Sequence, residues 1–140
     1  MTDINPQDLA GRYISLWIEP DAALRRKAIQ HLWAEDGAHI LQPPVEIREV
    51  AAALGFDSTT LEARGHGALE ARVTRSYERF IAPGQYTFRL RDDAVRLRNV
   101  VKFTWETVPT DDGEAVSGGL EVVVLDEDGR IKTDYMFPGA

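Results

Sequence analysis

Not one cysteine occurs in the 140 residues. Disulfides, thiolate metal centres and a cysteine nucleophile are therefore excluded together. Positive charge is also in short supply: 16 lysines and arginines stand against 23 aspartates and glutamates, a net charge of −7. Such a chain has no general attraction for nucleic-acid phosphates or anionic lipid, so neither is expected as a partner. The one contiguous basic triplet, Arg25-Arg26-Lys27, reads as the solvated face of a helix. No apolar run approaches the length of a membrane span. The start, Met1-Thr2-Asp3, has neither the basic nor the apolar region of a secretory signal, and the expected location is the cytoplasm. Only three histidines occur, without HxxxH or HxH spacing, so no metal site and no cofactor is expected. Asp126-Glu127-Asp128-Gly129 echoes the start of a calcium loop, but Ile131 resumes a strand too early for twelve ligand positions.

What is present suffices for one domain, residues 1–140, with one core. Asn5-Pro6 is a helix start, with asparagine as cap, proline at the first turn and Asp8 at the positive end. Leu9, Tyr13, Leu16 and Trp17 follow at helical spacing. A second helix is predicted over 22–33, stopped by Glu35-Asp36-Gly37. A short strand over 38–42 ends at Pro43-Pro44. Residues 47–54 are a short helical candidate, 56–60 a loop, and 63–67 too polar for a strand. A third helix is predicted over 68–81 on Leu69, Val73, Tyr77, Phe80 and Ile81. The rest alternates as β: 86–91, a long strand over 95–108, and two strands flanking a turn at Gly129, which can take a left-handed conformation at no side-chain cost.

The strand that begins at Ser117 is apolar on both faces, with Leu120, Val122 and Val124 on one and Gly119, Val123 and Leu125 on the other. A strand of this kind is covered on both sides, by the chain's own helices and by a second layer or a partner. A homodimer through the outer face is expected. The fold class is α+β: three N-terminal helices packed on a curved, mostly antiparallel sheet, a cone with a pocket inside.

Three strings carry a resemblance that spans nearly the whole chain: Gly11-Arg12-Tyr13-Ile14-Ser15-Leu16, Leu32-Trp33-Ala34-Glu35-Asp36-Gly37-Ala38-His39-Ile40, and Leu125-Asp126-Glu127-Asp128-Gly129-Arg130-Ile131. In this order the chain resembles the SnoaL-like branch of the nuclear transport factor 2-like superfamily. That superfamily includes ketosteroid isomerases, polyketide cyclases and limonene epoxide hydrolases. The resemblance implies that Tyr13 stands where the isomerases hold an oxyanion-stabilising tyrosine. It implies that Glu121 takes the place of their protonated aspartate, and that Asp134 and Met136 turn inward. Where those enzymes hold a general base before a proline, this chain has Gln42 before Pro43, and an amide accepts no proton from a carbon acid at neutral pH.

Each candidate residue has two readings. Glu121 sits among apolar residues, where a carboxylate is costly unless paired or protonated. It is either salt-bridged, to Lys102 or an arginine, or a pocket acid with a raised pKa, desolvated beside Trp105 rather than placed beside Thr104. Tyr13 is a core tyrosine or a pocket hydroxyl. Asp134 is a second cavity carboxylate or a solvated charge near a strand end. Gln42 is taken as ligand-binding, which turns His39 to the surface or an interface. His66 falls in a flexible loop. Trp17 and Trp105 line the pocket mouth or are plain core.

The function expected is binding of an apolar, cyclic small molecule, with cofactor-free acid–base chemistry (isomerisation, cyclisation or dehydration) on Glu121 and Tyr13. Two alternatives stand beside it: a non-catalytic dimeric module, and an epoxide hydrolase-like enzyme, whose Asp-Arg-Asp set around a water has no clear counterpart in this sequence.

Overall fold

A computed structural model describes residues 4–43, 45–55, 61–111 and 113–139. The reading of 56–60 as a loop, and Pro44, fall outside the described residues.

Local chemistry sets the helices. Helix α1 (Pro6–Trp17) starts where Asn5 accepts the Asp8 amide proton at 3.0 Å, with Pro6 in the first turn. It buries Leu9, Ala10, Tyr13, Ile14, Leu16 and Trp17 as one face. Helix α2 (Ala22–Leu32) is capped by Asp21, which accepts from the amides of Ala23 and Leu24. Its buried face includes Arg25, from the triplet expected to be solvated, while Leu24 is half exposed. The Arg25 guanidinium lies 4.8 Å above the Tyr77 ring and donates to the Glu19 carbonyl at 2.7 Å.

Strand β1 (Trp33–Leu41) follows without a loop. Glu35-Asp36-Gly37 therefore does not end a helix but forms the irregular part of a strand. The register against β7 shifts between Trp33 and Ala38. A Cβ on Gly37 would meet the Ile131 carbonyl oxygen at 2.8 Å, so the close approach requires glycine. Helix α3 (Val45–Ala53) buries none of its residues. Strand β2 (Leu61–Arg64), expected as loop, pairs antiparallel with β1 at the sheet edge, where a short polar strand is at home. Helix α4 (His66–Ser76) runs on into a π-helical turn, Tyr77–Ile81. His66 opens this helix, and its Nε2 lies 3.1 Å from the Trp33 carbonyl oxygen. There are thus four α-helices among the described residues rather than the three of the expected fold class, α3 being the short helical candidate read over 47–54.

Strand β3 (Tyr86–Leu90) begins the meander. The long strand expected over 95–108 is a hairpin, β4 (Val95–Leu97) and β5 (Val100–Pro109), folded at Arg98-Asn99. Arg98 takes φ 54 there, a left-handed conformation uncommon outside glycine and asparagine, which is why the turn is hard to read from its residues. Strands β6 (Ser117–Leu125) and β7 (Ile131–Pro138) turn at Gly129, with φ 80. The seven strands form one curved, unclosed mixed sheet with the path β2-β1-β7-β6-β5-β3 and β4 beside β5. Only the β1–β7 pair is parallel. Helices α1, α2 and α4 cover the concave face, the α+β cone expected from the sequence. No helix among the described residues is long and apolar enough to cross a membrane.

Candidate functional site

Strand alternation brings ionisable groups onto the concave face. On β6, Glu121, Val123 and Leu125 are buried while Leu120, Val122 and Val124 are half-buried on the other side. Glu121 lies opposite Phe103 of β5 and opposite Met136 of β7. Neither register considered from the sequence is the observed one, because Trp105 faces Gly119, two pairs further along. Its indole lies over that glycine, where a Cβ would meet the ring at 2.4 Å. From there its Nε1–H donates to Glu121 Oε2 at 2.7 Å. Lys102 is exposed and pairs with Val122 on the convex side, so it is no counterion for Glu121.

Three polar groups meet at the floor. The Tyr13 hydroxyl oxygen of α1 is 2.9 Å from Glu121 Oε1 and 2.5 Å from Asp134 Oδ2 of β7. Glu121 and Asp134 are both fully buried and Tyr13 nearly so. A phenol has one proton for these two contacts, so one is carried by a carboxyl proton. Burial foremost, then the charge of Asp134, pushes the Glu121 pKa well above the usual carboxylate value. That direction favours Glu121 as the carboxyl that holds the proton and donates to Tyr13, with Tyr13 donating onward to Asp134. Burial, then the two carboxyls, raises the Tyr13 pKa as well, so the phenol stays protonated.

His39 extends the cluster. It is 1% exposed, contrary to the surface or interface position expected. Only one parity of β1 faces the interior, and it is that of His39 and Leu41. Gln42 lies just past the strand, where its backbone amide donates to the Met136 carbonyl at 2.9 Å, and it does not line the cavity. Arg72 Nη1 of α4 is 2.9 Å from His39 Nδ1. A guanidinium only donates, so Nδ1 is the acceptor and the ring proton sits on Nε2. Nε2 faces Asp134 Oδ2 at 3.7 Å. Burial, the largest cause, keeps His39 neutral by lowering its pKa.

The expectation of no metal rested on histidine spacing, which misses that the fold gathers His39, Glu121 and Asp134 with ligand atoms within 4.8 Å of one another. Two features oppose a cation there. Binding at Nε2 would send the ring proton to Nδ1, against the Arg72 N–H. The Tyr13 hydroxyl, moreover, already fills the space between the carboxyls.

Above this floor opens a cavity of about 360 Å3. Trp17 and Trp105 both line it, with Phe80 and Phe88, and Tyr13 and Glu121 are the ionisable groups that reach it among the described residues. Asp134, which the resemblance turned inward, is inward but sits behind Tyr13 and does not line the cavity. Arg72 went unnoticed in the sequence, and His39 was assigned to the surface or an interface. Arg72 lies on the polar side of a helix, and no local pattern distinguishes it from Arg64 or Arg75.

No family profile and no curated protein sequence matches this chain. Solved structures do match. A protein of the SnoaL-like family from Agrobacterium tumefaciens strain C58, proposed to be an isomerase, superposes with a TM-score of 0.75 at 25% identity, covering 96% of this chain and 97% of that one. A SnoaL-like protein of unknown function from Burkholderia thailandensis E264 gives 0.59 at 16% identity, covering 99% and 100%. A nuclear transport factor 2-like protein of unknown function from Mesorhizobium loti gives 0.60 at 14%, covering 100% and 98%. With a mixed sheet curved around helices and a floor reached from α1, β6 and β7, this chain has the fold of the SnoaL-like, nuclear transport factor 2-like proteins.

Proposed function

We propose that the protein binds a neutral, apolar, cyclic small molecule in its cavity and acts on it by cofactor-free acid–base chemistry, in the cytoplasm. The observation that carries this reading is a fully buried carboxyl, Glu121, its pKa raised by burial, at the floor of a mostly apolar pocket. No lysine, arginine, histidine or aspartate lines that pocket among the described residues. A charged ligand would lose its hydration there without meeting a counterion, at a cost of several kcal/mol. A neutral one bearing a carbonyl or hydroxyl oxygen meets a donor when the Glu121 O–H turns to it from Tyr13.

Glu121 then gives its proton, or a share of it, to the ligand oxygen. The Trp105 N–H stabilises the carboxylate left behind, with the Tyr13 O–H turning to it from Asp134. Because Asp134 lies behind Tyr13, the pocket offers an acid but no free carboxylate base. This favours acid-initiated cyclisation, dehydration or isomerisation over removal of a proton from carbon. An epoxide hydrolase-like reading needs an arginine between two carboxyls, whereas Arg72 donates to His39 and to backbone carbonyls. The half-buried apolar residues on the convex face support a homodimer in either case.

Quenching of Trp17 and Trp105 fluorescence by matched bicyclic ketones, carboxylates and amines tests the binding. The neutral ketones should quench saturably and the charged partners should not. Preference for an ion would overturn the neutral-ligand reading. A probe that is also turned over should bind Glu121→Gln within a few-fold of wild type and react far more slowly. Equal turnover would remove Glu121 as the acid.

A further inference from the structure

Two carboxyl groups share the Tyr13 hydroxyl, and only one of them faces the cavity. The chemistry proposed above depends on which one carries the proton, and the inference here rests on that reading. The immediate contacts do not favour Glu121 as the protonated partner. The Trp105 N–H donates to Glu121 and so favours its ionised form.

The opposing influence enters from the far side. Among the described residues, Arg72 is the one cation bonded to the cluster. Its Nη1 donates to His39 Nδ1 at 2.9 Å, to the His39 carbonyl at 3.0 Å and to the Leu61 carbonyl at 3.2 Å. These contacts fix both the ring plane and the tautomer. An imidazole that accepts from a guanidinium is polarised into a stronger donor at its other nitrogen. That nitrogen makes no hydrogen bond and lies 3.7 Å from Asp134 Oδ2, the nearest carboxyl oxygen to it, while Asp134 Oδ1 is likewise without a partner. The remaining groups packed on the ring are Trp17 of α1 and Trp33 of β1, both uncharged. The positive influence therefore falls on Asp134, the carboxyl behind Tyr13.

From this geometry we infer that Arg72 and His39 are positioning residues: together they hold negative charge on Asp134 and thereby keep the cluster's proton on Glu121, the carboxyl that faces the cavity. Neither touches the ligand space. Charge placement is consistent, because the guanidinium balances one carboxylate and the cavity floor stays neutral.

NMR of the ligand-free protein tests this without a substrate. In the wild type at neutral pH, nitrogen-15 shifts should show His39 as the Nε2–H tautomer, and carbon-13 carboxyl shifts should show Glu121 protonated and Asp134 ionised. An Nδ1–H tautomer, or the proton on Asp134, overturns the inference. In Arg72→Met the Glu121 carboxyl resonance should move toward the ionised position and its titration midpoint should fall. A merely structural arginine would leave that midpoint where it is, and an unmoved midpoint in folded Arg72→Met overturns the inference while leaving Glu121 as the acid. Arg72→Gln, which keeps a neutral donor, serves as the second variant and should move the midpoint the same way. Arg64→Met, on the surface pair with Glu62, should change nothing. If Glu121 is already ionised in the wild type, the proposed function itself falls.

Discussion

The two faces of the β6–β7 hairpin invert the usual rule. On the concave side lie Glu121 and Asp134, both fully buried. On the convex side, Leu120, Val122 and Val124 are half-buried, and Tyr135 and Phe137 are 40% exposed. Ionisable groups are inside and apolar surface is outside. Stability alone would select the opposite arrangement. The inner carboxyls are tolerated because Tyr13 and Trp105 bond both oxygens of Glu121 and one of Asp134, and that arrangement is what builds an acid into the cavity. The outer apolar patch has no such partner among the described residues, and the proposed second copy would cover it.

The most forceful way to break this comparison is to put the same charge on each face. Val123 is fully buried and pairs with Asp134. Val123→Glu would add an unpaired carboxylate beside two others and should cost at least about 3 kcal/mol, enough to leave the protein largely unfolded in a urea titration. Val122→Glu, one residue away, should change monomer stability by no more than about 1 kcal/mol. Its effect should instead be on mass: light scattering should find the wild type dimeric and Val122→Glu monomeric. A monomeric wild type would remove the proposed dimer.

A smaller break tests how the inner face is supported. Gly119 leaves room for the Trp105 ring, so Gly119→Ala should push the indole aside and separate it from Glu121. Overpacking of this kind costs about 1–3 kcal/mol. Tryptophan emission should shift and the urea midpoint should fall. An unchanged spectrum would mean that Trp105 is not held against Glu121 in solution.

How much of this was legible in the sequence follows the same division. The α1 cap, its apolar face and the Gly129 turn were readable because each depends on residues close in the chain. Glu121 was readable as buried because a carboxylate in an apolar strand is anomalous by itself. The choice between His39 and Gln42 was correctly posed, since one parity of β1 faces inward, but the analogy to an isomerase base selected the wrong member. Strand β2 was missed because an edge strand can be short and polar. The fold at Arg98-Asn99 was missed because its left-handed residue is an arginine. Arg72 carried no signal, since its role exists only where α4 crosses β1 and β2.

The smallest and sharpest comparison is Glu121 against its isostere. Glutamine in place of Glu121 keeps an acceptor for Trp105 and a donor for Tyr13, so near pH 4 Glu121→Gln should match wild type within about 1 kcal/mol. The two should then diverge. Burial raises the Glu121 pKa above its unfolded value of about 4.3. Below that value both states carry the proton and there is no penalty. As pH rises, the unfolded chain releases the proton while the folded one keeps it, so wild-type stability declines by up to about 1.4 kcal/mol per pH unit until the folded pKa is passed. The glutamine variant lacks this loss. His39, whose lowered pKa makes stability fall as pH drops below about 6.5, contributes alike to both and largely cancels in the difference. Urea midpoints measured from pH 4 to pH 8 should therefore shift steadily in favour of Glu121→Gln. A shift in favour of the wild type would mean that the folded protein stabilises the Glu121 carboxylate, and the cavity would then hold an anion where an acid is proposed.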